Sequence, residues 1–251
     1  KIEEYAFYDC SALKKVTMPG TVNEMGIQIF RNTALTTAGP TGSGADYEFG
    51  WTTEIPAYGF DWIDTLTEIT LPEGITKLGR NAIAECRSLT QVGLPASLRT
   101  MGEEVFSGCE KLPRIDFPNG IRILPEKALR RCLALKEVSL PASLTTIKNS
   151  AFERCESLEE IVLPEGLEEI ESYAFNGCKS LMGIAFPEGL TYLPDRCLIS
   201  CRSLEEVTLP DSLREIRGWA FENCESLTVL EIPDGVTTIR LAPATPAANA
   251  A

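Results

Sequence analysis

Apolar residues fall on a fixed grid along this chain. Between residues 144 and 163 they stand at Leu144, Ile147, Ala151, Phe152, Cys155, Leu158, Ile161 and Leu163. The next stretch repeats the set as Leu167, Ile170, Ala174, Phe175, Cys178, Leu181, Ile184 and Phe186. The last complete stretch gives Leu213, Ile216, Ala220, Phe221, Cys224, Leu227, Leu230 and Ile232. Two local periods coexist in each unit. Ile161 and Leu163 are two apart, so they share one face of a short strand. Pro164 ends that strand, because it has no N–H to give to a ladder. Ala151, Phe152, Cys155 and Leu158 have the spacing of one side of a helical turn or two. A strand and a short helix cannot bury an apolar face alone, but stacked copies can. The pattern therefore predicts a parallel sheet along one side of a stack, with short helices or turns opposite.

The cysteines set the period. Cys86, Cys109, Cys132, Cys155, Cys178, Cys201 and Cys224 are each 23 residues apart. Extending the grid backwards puts Ile63, Thr33 and Cys10 in the same slot, with one seven-residue insertion, which makes about ten rungs. The insertion falls in residues 36–56, where Gly39, Pro40, Gly42 and Gly44 mark a turn-rich loop. Tyr47, Phe49 and Trp51 follow it with strand-like alternation. These aromatics fit a plug for the gap that the insertion leaves; the competing reading is a protruding loop that contacts a ligand. Two rungs carry a variant, Ile123-Leu124-Pro125 and Tyr192-Leu193-Pro194, and Cys197 takes an alanine slot. Residues 1–240 read as one solenoid and residues 241–251, LAPATPAANAA, as a Pro/Ala-rich tail or linker. Both ends cut through the repeat, which fits a piece of a longer protein.

The pattern Leu-Pro-x-x-Leu-x-x-Ile-x-x-x-Ala-Phe-x-x-Cys-x-x-Leu-x-x-Ile resembles the BspA-like, or Treponema pallidum-type, leucine-rich repeat. The resemblance covers essentially residues 1–240. It implies an α/β repeat: a right-handed leucine-rich-repeat solenoid of about ten 23-residue rungs, with one parallel sheet and short helices or turns opposite. It also implies a secreted or cell-surface bacterial protein, linked with adhesion to host proteins. Fold alone does not fix function, since repeat folds host many.

Charge and chemistry narrow the classes. The net charge is −13 and the pI near 4.6, which opposes binding to nucleic acid or to anionic lipid. No apolar run approaches the roughly 18 residues of a membrane span. Histidine is absent, which removes Ser-His-Asp and Cys-His dyads and His-ligated zinc. No nucleotide-binding or calcium-loop motif stands in a suitable context. Nine cysteines in an exported protein raise the question of disulfides. One per rung at a fixed slot instead reads as a ladder of free, buried thiols. The acidic residues Glu165, Glu168, Glu169 and Glu171 read as a solvated turn. We therefore expect no enzyme, metal or cofactor, but a monomeric binding or adhesion module for an unidentified protein or glycan, the host extracellular matrix among the candidates. A passive spacer carrying another domain is the alternative. The candidate binding face is the outward side of the sheet, with Glu68, Gln91, Arg114, Glu137, Glu160 and Glu206 in one column and Asp116 in the next. Tyr47, Phe49 and Trp51 form the alternative site.

Overall fold

The computed structural model describes residues 1–19, 21–22, 24–50 and 53–240. Trp51 and the tail 241–251 lie outside the described residues. The strand read from the Ile161-type slots forms in most rungs. β1 (Thr37–Pro40), β2 (Tyr47–Phe49), β3 (Glu54–Ile55) and β4 (Glu68–Thr70) open the series. Three-residue strands like β4 recur at Gln91–Gly93, Arg114–Asp116, Glu137–Ser139, Gly183–Ala185 and Glu206–Thr208. Their middle residues pack on one continuous core that runs from Ile2 to Ala220. Pairing is parallel, with Glu68 beside Gln91, Arg114 beside Glu137 and Gly183 beside Glu206.

The expectation of one sheet needs correction, because each rung also contributes a second, shorter strand. These two-residue strands run from β3 through Lys77–Leu78, Thr100–Met101 and their successors to Thr238–Ile239. Ile55, Leu78, Ile147, Ile170 and Ile216 point from them into the core. A single inward residue is enough, because the backbone groups on either side face the adjacent rungs. The N–H of Lys148 donates to the Leu124 carbonyl at 2.9 Å and that of Arg217 to Leu193 at 3.0 Å. This column advances in eight 23-residue steps, so the regular stack has about eight turns rather than about ten. The first units are tied instead by isolated bridges, Ile2 to Met25 and Val16 to Tyr47.

Prolines stand at three of the breaks in the ladders. The second column is interrupted between Thr100–Met101 and Ile123–Leu124, and again between Glu169–Ile170 and Tyr192–Leu193. In other rungs the residue after the strand sends its N–H back one rung, as Gly102 does to Leu78 at 2.8 Å. Pro125 and Pro194 hold that position and have no N–H. The first column is likewise broken between Gln91–Gly93 and Arg114–Asp116, where Pro113 replaces the residue whose N–H, in Thr90, reaches Thr67.

No helix forms among the described residues, so the α/β expectation becomes strands and turns. The segment opposite the sheet is a train of overlapping turns. The N–H groups of Ala151, Glu153 and Cys155 return to carbonyls three residues back, while those of Ser150, Phe152 and Arg154 reach Ser172, Ala174 and Asn176 of the next rung at 3.1, 2.8 and 2.7 Å. An α-helix would consume all six internally and leave none to tie the rungs together. The alternation requires positive φ at Ser150 (56°) and Arg154 (61°), and the same two slots are left-handed in most rungs. Non-glycine residues rarely adopt this conformation; here it persists because the flanking hydrogen bonds impose it.

The cysteines are all free. Seven of them, from Cys86 to Cys224, donate Sγ–H to the carbonyl 26 residues back at 2.9–3.3 Å. Cys155, for example, reaches Leu129 at 3.3 Å. Cys86 through Cys201 are buried, Cys197 among them; Cys224 is half-buried and Cys10 exposed. The ladder of buried thiols thus excludes the first rung.

Candidate binding face

The seven residues of the proposed face do not act as one set. Glu68 accepts a hydrogen bond from Gln91 Nε2 at 3.2 Å. Arg114 pairs with Asp116 at 3.0 Å and with Glu137 at 2.8 Å, and the Asp116 hydrogen bonds hold its pKa above the ordinary value. In this half one cation is shared between two carboxylates, and Glu68 is bridged by a neutral amide. Glu160 and Glu206 are different: both are exposed, and neither makes an ion pair among the described residues. They line one groove of about 650 Å³ with Val162, Met182, Gly183 and Glu205.

The strand column fails at that groove. Residues 160–162 form no strand, although the units on both sides do. In this column one backbone bond reaches the rung from its neighbour, Met182 N–H to the Glu159 carbonyl at 3.1 Å. By the 23-residue register Glu160 stands beside Glu137, and like charges directly opposite one another oppose pairing. Val162 is 82% exposed, in a slot that elsewhere holds Thr70, Asp116, Ser139 and Thr208.

The insertion is built differently. β2 pairs with β1 in parallel, Ala38 beside Tyr47, and sits between β1 and the Val16 backbone. Tyr47 and Phe49 are 2% and 1% exposed. Their rings meet Phe30 and Phe60, with the Tyr47 centroid 4.8 Å from Phe30 and the Phe49 centroid 5.5 Å from Phe60. The Tyr47 hydroxyl contacts Met25 Sδ at 3.7 Å, and burial pushes its pKa up to about 12. The connecting loop is stapled at both ends. Glu48 accepts the N–H groups of Gly42 and Gly44 at 2.9 and 2.7 Å, glycines whose φ is 83° and 79°. Asp46 accepts the Thr36 N–H at 2.8 Å, and those bonds hold its carboxyl below the usual range against the effect of burial. Because the excursion replaces the ordinary turn of its rung, a cleft of about 670 Å³ opens between Val16 and Met18 on one side and Pro72 and Glu73 on the other.

Among the described residues no group of three or more Cys, Asp or Glu is placed to hold a metal ion. The buried thiols are kept protonated by desolvation, with Cys86 and Cys178 pushed up to about 12. Lys148 contacts both Glu169 and Glu171, so one cation is shared by two of the four carboxylates of the acidic turn. No helix is long and apolar enough to cross a membrane among the described residues.

A sequence profile of the BspA-type leucine-rich-repeat region matches residues 1–41, 53–161 and 122–242. Solved structures agree in fold. A leucine-rich-repeat protein from Bacteroides ovatus aligns over 95% of this chain and 78% of its own, at 21% identity and a TM-score of 0.59. The Treponema pallidum leucine-rich-repeat protein aligns over 84% of this chain and 91% of its own, at 24% identity and a TM-score of 0.54. A leucine-rich cell surface protein from Faecalibacterium prausnitzii aligns over 96% of this chain and 76% of its own, at 24% identity and a TM-score of 0.52. None of the curated protein sequences compared with the chain matches it.

Proposed function

We propose that this chain, which belongs to the BspA-type leucine-rich-repeat family, is a non-enzymatic binding module of a secreted or surface-attached bacterial protein. It acts as a monomer and recognises a protein or glycan, with host extracellular-matrix components as the first class to examine, along the outward side of its strand column. One observation carries this reading. The core absorbs nearly every large apolar side chain of the grid, while Gln91, Arg114, Glu137 and Glu160 remain exposed at one-rung intervals, with Asp116 beside Arg114 and Glu206 two rungs beyond Glu160. A long, rigidly spaced array of polar groups suits an extended partner. The Faecalibacterium prausnitzii neighbour, described as a cell surface protein, supports the location. The alternative site is the insertion cleft, where Lys15, Glu48 and Glu73 rim an apolar floor.

The test is a screen of the folded chain against immobilised extracellular-matrix proteins and a glycan array. Hits are then repeated with Arg114→Glu and Glu137→Lys on the ion-paired half of the face, Glu206→Lys on the other half, and Lys15→Glu at the cleft. Saturable binding lost in any of the face variants supports this reading. Binding lost only in Lys15→Glu moves the site to the insertion. A folded chain with no ligand acts as a spacer.

A further inference from the structure

The strand face changes character at Glu160, and the change has the form of a docking point. Two exposed apolar side chains stand there, Val162 at 82% and Met182 at 44%. They share a groove with Ile184 and Ala185, bounded by Glu160, Glu205 and Glu206. A second groove, on the other side of Val162, is lined by Val138, Leu140, Ala142 and Pro164. Val162 is therefore an apolar step between two hollows where the ladder has opened.

The charges around it are uncompensated. Among the described residues, Glu160, Glu205 and Glu206 in this groove form no ion pair, and neither do Asp211, Glu231 and Asp234, which line the adjoining groove with Glu205 and Glu206. The nearby basic groups are committed elsewhere. Lys136 lies 4.0 Å from Glu159, and Arg214 donates to the backbone carbonyls of Asp211 and Leu213. The contrast with Arg114, Asp116 and Glu137 is local and built from the same repeat.

We propose that this step docks a basic protein segment that presents one aliphatic or aromatic side chain between lysines or arginines. The proposal rests on the strand-face reading above and deepens it by naming the place and the partner. Charge complementarity selects the occupant. Carboxylates without counter-ions repel nucleic acid and anionic lipid. A bare cation gains nothing from Val162, whereas an apolar side chain seated beside it loses water-exposed area. The open carboxylates then speed encounter and fix register, and the apolar contact supplies the slow dissociation.

The experiment uses the whole chain and fluorescein-labelled synthetic peptides read by anisotropy. One peptide places leucine between lysines, a second places serine between lysines, and a third places leucine between glutamates. The expected result is saturable binding of the lysine–leucine peptide, about ten-fold tighter than lysine–serine and weakened by added salt. Val162→Ser weakens it about ten-fold, and Glu206→Gln weakens it less. Val162 is exposed, so its replacement should leave the unfolding transition in place, and that transition is measured alongside. Equal affinity for the two lysine peptides, or no effect of Val162→Ser, would reduce the site to unspecific attraction and overturn the proposal. No binding of the lysine–leucine peptide to the folded chain overturns it as well. In either case a screening hit that is lost in Arg114→Glu leaves the strand-face function standing, while an empty screen removes both.

Discussion

In the regular stack, a carbonyl of one rung meets a thiol from the next: Cys155 donates to Leu129, and Cys178 to Phe152 at 3.3 Å. Around the insertion the same slot holds Thr33 and Ile63. Thr33 turns its hydroxyl to Phe30 of its own rung at 2.7 Å, and Ile63 has nothing to donate. Packing there rests on five rings, Phe7, Phe30, Tyr47, Phe49 and Phe60, where the stack at Phe152 has one ring neighbour, Phe175 at 5.3 Å. One part of the molecule repeats a single joint. The other replaces it with a cluster that accommodates an extra strand. The difference teaches that the repeat needs a filled slot at each rung more than it needs any one hydrogen bond.

The largest effect expected is at the centre of the cluster. Phe60→Ala removes a fully buried ring that touches Phe30, Tyr47 and Phe49. A loss of about 3–5 kcal/mol follows from the cavity and the transfer terms. Phe152→Ala should fall at the lower end of that range, with one ring contact forfeited. Urea unfolding of the two variants measures the gap, and equal losses would erase the distinction between cluster and rung.

A second difference is ionic. Beside Phe60 the insertion region buries Asp61, 1% exposed, against Arg31 at 3.1 Å, while the next two rungs hold Ala84 and Ser107 in its slot. Burial raises the Asp61 pKa from 3.8 to about 6, and the Arg31 charge offsets only part of that. The folded chain thus binds this proton more tightly than the unfolded one. The stabilising contribution is full below pH 3.8, and it is lost as the pH rises through about 6. Relative to Asp61→Asn, the native chain should lose on the order of 2–3 kcal/mol of unfolding free energy between pH 4 and 7. Parallel unfolding curves across that range, with no widening gap, would show that Arg31 keeps the carboxylate ionised throughout.

The thiols come next. Cys155→Ala removes a small buried side chain and its donor, and should cost about 1–2 kcal/mol. Thr33→Val, which keeps the volume and loses the hydroxyl, should cost about 1 kcal/mol. Labelling separates the same regions: Cys10 should react at once, Cys224 more slowly, and the buried cysteines only after unfolding. Rapid native-state labelling of Cys132 or Cys155 would contradict the packed ladder.

Much of this was legible in the residues. The 23-residue period, the inward slots and the strand at Glu137–Ser139 follow from spacing alone. The turns in place of helices do not, because Ala151, Phe152, Cys155 and Leu158 suit either. A signal existed in the slot before the cysteine, where Asp9, Asn32, Gly108, Gly177 and Asn223 are residues that tolerate positive φ. The second strand column was hidden because it buries only one side chain per rung, too few for alternation to show. The position of β2 between Val16 and β1 depends on chain reversal that no local pattern encodes. As for the face, its column was readable from the period. The division into an ion-paired and an open half depends on which side chains reach one another across rungs, as Arg114 and Glu137 do and Glu160 does not.

The smallest effect concerns the boundaries inside the regular stack, and it sets two contributions against each other. Pro125 withholds the N–H that, by analogy with Gly102 and Lys148, would reach the Met101 carbonyl. Pro125→Ala restores that donor, a gain of about 0.5–1.5 kcal/mol if the bond closes. It also frees the unfolded chain, a loss of about 0.4–1 kcal/mol. The two nearly cancel, so the unfolding midpoint should scarcely move. Hydrogen exchange is the sensitive measurement. With the ladder joined, the amide introduced by Pro125→Ala should be protected to the same degree as that of Lys148, and protection should run continuously from Lys77 to Ile170. If the new amide exchanges freely, the break belongs to the backbone path of this rung, with proline only its occupant.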